Sequence, residues 1–181
     1  MLPGIANRSL GVGRICFFIW RKIDAVKSIW KNMRVCDAFA MLAVLVFTAE
    51  ACVERSTIMA RAQRWVKNKV PYSQTRSYEG HRTDCSGFVS MAWGLPKPGL
   101  TTYTMHTVAR NITKSELLPG DAINAESRHI VLFGGWTNSS KTHFYSLEEA
   151  NTRKGTIKRV VPYPYFAPSQ GYHPIRYKNV C

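Results

Sequence analysis

With 181 residues, 45% of them hydrophobic, the chain is long enough for one ordinary domain plus a leader and too apolar to be globally disordered. A formal net charge of +14 points to an anionic partner: a wall polymer, a membrane surface or nucleic acid. Seven basic residues stand against three acidic ones up to Glu50, and 18 against 8 from Ala51 onward, so most of the basicity belongs to the part that folds.

Residues 1–51 read differently from the rest. A patchily apolar, basic stretch (Ile15 to Trp30) precedes the unbroken run Ala38 to Phe47. That run is shorter than the roughly 18–20 apolar residues of a membrane span. With Lys31 and Arg34 as a positive flank and Ala49-Glu50-Ala51 as an A-x-A cleavage site, it fits a secretory signal segment. A start at Met33 gives a signal of normal size, whereas a start at Met1 gives a long n-region. Residues 1–51 are therefore set aside as a leader, 52–181 are taken as the domain, and a secreted location is expected.

Glu54 to Lys69 is predicted to be a helix, with Ile58, Met59, Ala62, Trp65 and Val66 as its apolar stripe. Ser56 or Thr57 can cap it, and Pro71 ends it by disfavouring helical geometry at Val70. Residues 72–83 are polar and read as a loop. A second helix follows at Cys85, with Phe88, Val89, Ala92 and Trp93 on one face and Gly94 as its stop. Leu95 to Asn111, with its Pro and Gly breakers, reads as a surface loop.

From Leu117 the hydrophobic period becomes two. Leu118-Pro119-Gly120-Asp121 is a turn, Ala122-Ile123 a short strand, and Ile130 to Phe133 an apolar strand opened by His129. Phe144 to Glu149 and Thr156 to Val161 read as further strands, and an edge strand is expected near Ile175 to Tyr177. Helices first and an antiparallel meander after them make an α+β fold, with helices packed on an antiparallel sheet.

Cys85 sits in the first turn of its helix, where unpaired backbone N–H groups and the helix dipole favour an anion such as a thiolate. Of the other cysteines, Cys16 and Cys36 lie in the leader, while Cys52 and Cys181 stand at the two ends of the domain. Domain ends often lie close together, so these two can form a disulfide and leave Cys85 free. With no C-x-x-C, no H-E-x-x-H and five dispersed histidines, no metal site and no cofactor is expected. A nucleophilic cysteine needs a base, and His129, on a rigid strand at the core edge, is the best candidate. The base needs an orienting partner, and Glu148-Glu149 on the next strand supply two acids, of which alternation lets one face it.

These residues resemble the NlpC-type papain-like cysteine peptidases, which mostly cut peptidoglycan stem peptides. The resemblance runs from roughly Ile58 to Tyr177. It rests on Asp84-Cys85-Ser86-Gly87-Phe88-Val89, on Leu118-Pro119-Gly120-Asp121 and on His129-Ile130-Val131-Leu132-Phe133, in that order. It implies a papain-like fold with Cys85 as nucleophile and His129 as base. The family's third residue often precedes Ala, which selects Glu149, before Ala150, over Glu148. Pro71-Tyr72 looks like the family's Pro-Tyr, and Tyr72, Asp84 and Ser86 are expected to bind substrate. In place of the family's usual Trp-Gly-Gly after that tyrosine stands Ser73-Gln74-Thr75.

The expected activity is cleavage of an amide bond in peptidoglycan stem peptides or similar peptides, by a monomer attracted to an anionic cell-wall polymer. Two alternatives are a non-catalytic wall-binding module of the same fold and an N-acyl amidase or acyltransferase of the clan. No helix-turn-helix or aromatic-basic RNA signature is present, so no nucleic-acid partner is expected.

Overall fold

The structure, a computed structural model, describes residues 52–166 and 170–181. The expected leader, with its apolar run and expected cleavage site, lies outside the described residues. Among the described residues no helix is long and apolar enough to cross a membrane.

Helix α1 (Arg55–Asn68) buries Ile58, Ala62 and Trp65, three members of the expected stripe. Glu54 stands at its N-cap without a side-chain cap bond, so Ser56 and Thr57 lie inside the first turn instead of capping it. Lys69 ends it in a left-handed conformation. Helix α2 (Cys85–Trp93) is buried on every side, because α1 and the sheet enclose it.

Between the helices, residues expected to be a loop form a hairpin of strands β1 (Ser73–Tyr78) and β2 (His81–Thr83). The two-residue turn Glu79-Gly80 has positive φ at both positions, the geometry that matches strand twist in a tight hairpin. β1 is largely exposed, so main-chain pairing and not apolar burial makes this element. That is why hydrophobic patterning missed it.

The main sheet is antiparallel throughout, in the order β3-β8-β4-β5-β6-β7. Its strands are β3 (Ala109–Asn111), β4 (Ala122–Ala125), β5 (His129–Trp136), β6 (His143–Glu149), β7 (Thr156–Pro162) and β8 (His173–Tyr177). The meander from β4 to β7 is as the two-residue period predicts. β8 is not at the edge: it lies between β3 and β4, and β3, inside the stretch read as a surface loop, takes the edge.

The sheet has a core on each face. Ala122, Ile130, Leu132, Leu147 and Ile175 pack with the helices. Ile123, Val131, Phe133, Phe144, Val161 and Tyr165 form a second cluster on the opposite side. Asp121 holds the turn before β4: it is fully buried and accepts from Leu118 N at 2.9 Å, from Arg55 at 3.0 Å and from Arg176 at 2.8 and 2.9 Å. The Leu-Pro-Gly-Asp turn is thereby tied to both α1 and β8. Cys52 and Cys181 are joined in a disulfide, their Cα atoms 5.2 Å apart, and among the described residues Cys85 is the free cysteine.

Candidate active site

The β1–β2 hairpin delivers the chain directly to Asp84, whose carboxylate caps α2 by accepting from Gly87 N at 2.6 Å and from the Ser86 hydroxyl at 3.0 Å. Arg82 Nε donates to the same carboxylate at 2.8 Å, balancing its charge beside the thiol. Gly87 is required here, because a Cβ on it would stand 2.0 Å from the Arg82 carbonyl oxygen. The cap leaves Cys85 as the first helical residue, with its N–H lacking an intrahelical acceptor. Asp84 and Ser86, expected to bind substrate, thus have their polar atoms engaged in the cap and the Arg82 contact.

His129 enters from the start of β5. Its Nε2 lies 2.9 Å from Glu148 Oε2, and the Cys85 thiol is the other group that acts on the ring. Burial alone would lower the imidazole pKa. The hydrogen bond with Cys85 and then that with Glu148 outweigh it and raise the value from 6.5 to about 9. For Glu148, burial alone would raise the pKa, but hydrogen bonds from His129, Arg159, Tyr165 and Ser146 draw it from 4.5 down to about 2. The site therefore holds an imidazolium against a carboxylate at neutral pH.

The acid that faces His129 is Glu148, not Glu149, which corrects the expectation from sequence. The cause is strand phase. In the β5–β6 register Phe133 stands opposite Ser146 and Leu132 opposite Leu147. Continued by two residues, that register puts Glu148 on the face that His129 shares with Val131 and Phe133. Glu149 points to the helix side, fully buried. One of its oxygens bonds the Thr156 hydroxyl, and the other has no partner. Burial first, and then the charge of Asp84, push its pKa from 4.5 up to about 7, against the Thr156 bond that lowers it.

Tyr72 lies close to the thiol. Its hydroxyl accepts from Gln74 at 3.3 Å, and burial, with the nearby Cys85, Asp84 and Glu149, raises its pKa. Cys85 and His129 are thus brought together with Glu148, while Glu149, on the helix side of the sheet, lies near Asp84 and Tyr72 instead of the imidazole.

Two residues that sequence reading missed complete the arrangement. Arg159 Nε and Nη2 donate to Glu148 at 2.9 and 3.2 Å, and the Tyr165 hydroxyl donates at 2.6 Å. The Tyr165 ring lies 5.5 Å from the imidazole. A signal for Arg159 was available in the sequence. It shares phase with Val161, so it is an arginine on the buried face of its strand. Tyr165 lies beyond the prolines after β7 and carries no such signal. Among the described residues no cluster of side chains suited to a metal ion occurs.

The chain matches no protein-family model and no curated protein sequence. Solved structures do resemble it. The P60 domain of an antigen from M. avium subspecies paratuberculosis is 16% identical, with a TM-score of 0.49, over 70% of this chain and 95% of that one. The chain is similar to NlpC/P60 domains. The peptidoglycan hydrolase RipB from Mycobacterium tuberculosis is 18% identical, with a TM-score of 0.46, over 70% of this chain and 65% of its own. RipD from the same organism, a non-catalytic NlpC/p60 domain protein adapted to peptidoglycan binding, is 19% identical, with a TM-score of 0.47, over 67% and 95%.

Proposed function

We propose that this chain is a cysteine hydrolase that cleaves an amide bond in peptidoglycan stem peptides or closely similar peptides. The observation that carries the reading is the continuous line Cys85–His129–Glu148, with Arg159 and Tyr165 holding the acid. The thiolate is the form that attacks a carbonyl carbon, and the imidazolium is placed beside the sulfur to pair with it. The first helical N–H, at Cys85, is placed to stabilise the oxyanion. His129 would pass its proton to the leaving amine as the thioester forms. It would then take a proton from the water that releases the acid, with Glu148 holding the ring orientation throughout. Tyr72 would border the substrate on the Asp84 side.

The surplus of 18 basic over 8 acidic residues from Ala51 onward suits the approach to an anionic wall. Residues 1–51 would act as the secretory leader of a domain spanning 52–181. The test is digestion of purified muropeptides, with mass spectrometry naming the broken bond. Wild-type protein should cleave and Cys85→Ala should not. Binding of muropeptides without cleavage by the wild type would assign the wall-binding alternative, and equal turnover by Cys85→Ala would end the reading.

A further inference from the structure

Just past α1, the chain at Val70 lies against the start of β7. Thr156 N donates to the Val70 carbonyl at 2.9 Å, and the Thr156 hydroxyl meets the same oxygen at 3.0 Å. The approach is close: a Cβ added at Gly155 would stand 2.7 Å from that oxygen. Two residues beyond Val70 is Tyr72, which lies near Cys85, so this junction sets where the tyrosine side of the site stands.

Glu149 ends β6 beside this junction and is 0% exposed. Its Oε1 bonds the Thr156 hydroxyl, and its Oε2 has no partner. A hydroxyl has one hydrogen to give, and a backbone carbonyl can only accept. If Thr156 donates to Val70, its bond with Glu149 is made only when the carboxyl is the donor. Both contacts are hydrogen bonds at once only if Glu149 carries a proton. The surroundings agree. Asp84 faces Glu149 from the cap of α2, Tyr72 from the segment after α1 and Thr156 from β7. The β5–β6 register brings the apolar Ile130 to its level, and the buried face of α1 is Ile58, Ala62 and Trp65. Arg82 is spent on Asp84, at 2.8 Å, and no ion pair among the described residues includes Glu149. A buried carboxylate with one bare oxygen, an anion nearby and no cation is costly. The neutral acid leaves only an uncharged carbonyl oxygen unpartnered.

We propose that Glu149 is a positioning residue that works as a neutral carboxylic acid: it donates to Thr156 Oγ1, Thr156 donates to the Val70 carbonyl, and this chain of two bonds holds the Val70–Tyr72 segment against β7. When solvent takes the proton as pH rises, the Thr156 hydroxyl turns to donate to the carboxylate. The Val70 carbonyl then keeps the Thr156 N–H alone, and the segment that carries Tyr72 is held by one bond in place of two. Glu148 has the opposite character, since its donors keep it ionised and it acts on His129. The inference rests on the donor count at Thr156, so it stands whether or not the Cys85–His129–Glu148 line hydrolyses anything.

The test is a pH titration of the full chain by NMR, following the Glu149 carboxyl carbon and the hydrogen exchange of the Thr156 amide. The carboxyl should titrate near pH 7 instead of 4.5. Above that midpoint, and after correction for base catalysis, the Thr156 amide should exchange about fivefold faster, the worth of one neutral hydrogen bond. Glu149→Gln has a side-chain amide that donates to Thr156 as the acid does, so it should keep the slow exchange on both sides of the midpoint. In Thr156→Val, which keeps the shape and removes the hydroxyl, exchange at position 156 should no longer follow the Glu149 proton, while Glu149 itself still titrates. A carboxyl that titrates near 4.5, wild-type exchange indifferent to its midpoint, or the same step in either variant would overturn the proposal. The wild-type titration decides the matter by itself if a variant does not fold.

Discussion

Replacing Glu148 by glutamine removes one charge from the centre while keeping an oxygen that can accept from His129 Nε2. The imidazole pKa stands near 9 instead of 6.5, a displacement worth about 3 kcal/mol in favour of the imidazolium. Cys85 is the larger upward influence and Glu148 the second. Loss of the carboxylate should therefore bring the imidazole pKa down by about one unit, not return it to 6.5. The assay is the pH dependence of kcat/KM on a single muropeptide. The wild type should lose activity through an alkaline limb near pH 9, and in Glu148→Gln that limb should fall to about pH 8. The rate at neutral pH should drop by roughly 10- to 100-fold, because the amide cannot stabilise the developing imidazolium. Glu149→Gln should leave the limb in place. A Glu148→Gln profile superimposable on the wild type would refute the assignment of the acid. A limb displaced only in Glu149→Gln would return that role to Glu149.

The same pair governs stability at its extremes. The Glu148 contribution is complete above pH 4.5 and is lost as pH falls through about 2; that of His129 is complete below 6.5 and is lost as pH rises through about 9. Glu149 has the opposite sign. Its folded pKa is raised to about 7, so stability should decline as pH rises from 4.5 to 7, and denaturant melts of Glu149→Gln should lack that decline. Asp121→Ala strands Arg55 and Arg176 and should lower unfolding free energy by about 3–5 kcal/mol, read from urea melts. Non-reducing mass analysis should find Cys52 joined to Cys181 and Cys85 alkylatable, and Cys52→Ser should cost about 2–5 kcal/mol, since the bridge closes a loop of 129 residues.

Periodicity made α1, α2 and the β4–β7 meander legible, because each buries an apolar stripe or face. β1, β2 and β3 were not, because they are short and polar and are held by main-chain pairing with partners that only the fold supplies. The position of β8 depended on the same non-local pairing: its apolar residues announced a strand but not its neighbours. At the site, Cys85 and His129 carried chemistry in their positions and were readable. The choice between Glu148 and Glu149 was not settled by their residue types. It follows from the register of β6 on β5, which a likeness at Ala150 could not replace. Arg159 was readable in principle from its phase in β7, whereas Tyr165 reaches Glu148 from an irregular segment.

The disulfide sets how the domain would bear a mechanical load. Val53 and Val180 bridge in parallel, with Val53 N donating to Asn179 O at 2.9 Å and Cys181 N to Val53 O at 3.1 Å. A pull toward the N-terminal end on Val53 and toward the C-terminal end on Val180 runs in opposite directions along the two segments. The bridge is then sheared, so its bonds must fail together instead of peeling one at a time. With Cys52 and Cys181 joined, that pull passes through the sulfur–sulfur bond and bypasses the residues between. A domain held by one end and dragged by the other would keep Cys85 and His129 in register, and reduction of a single covalent bond would route the tension into the fold.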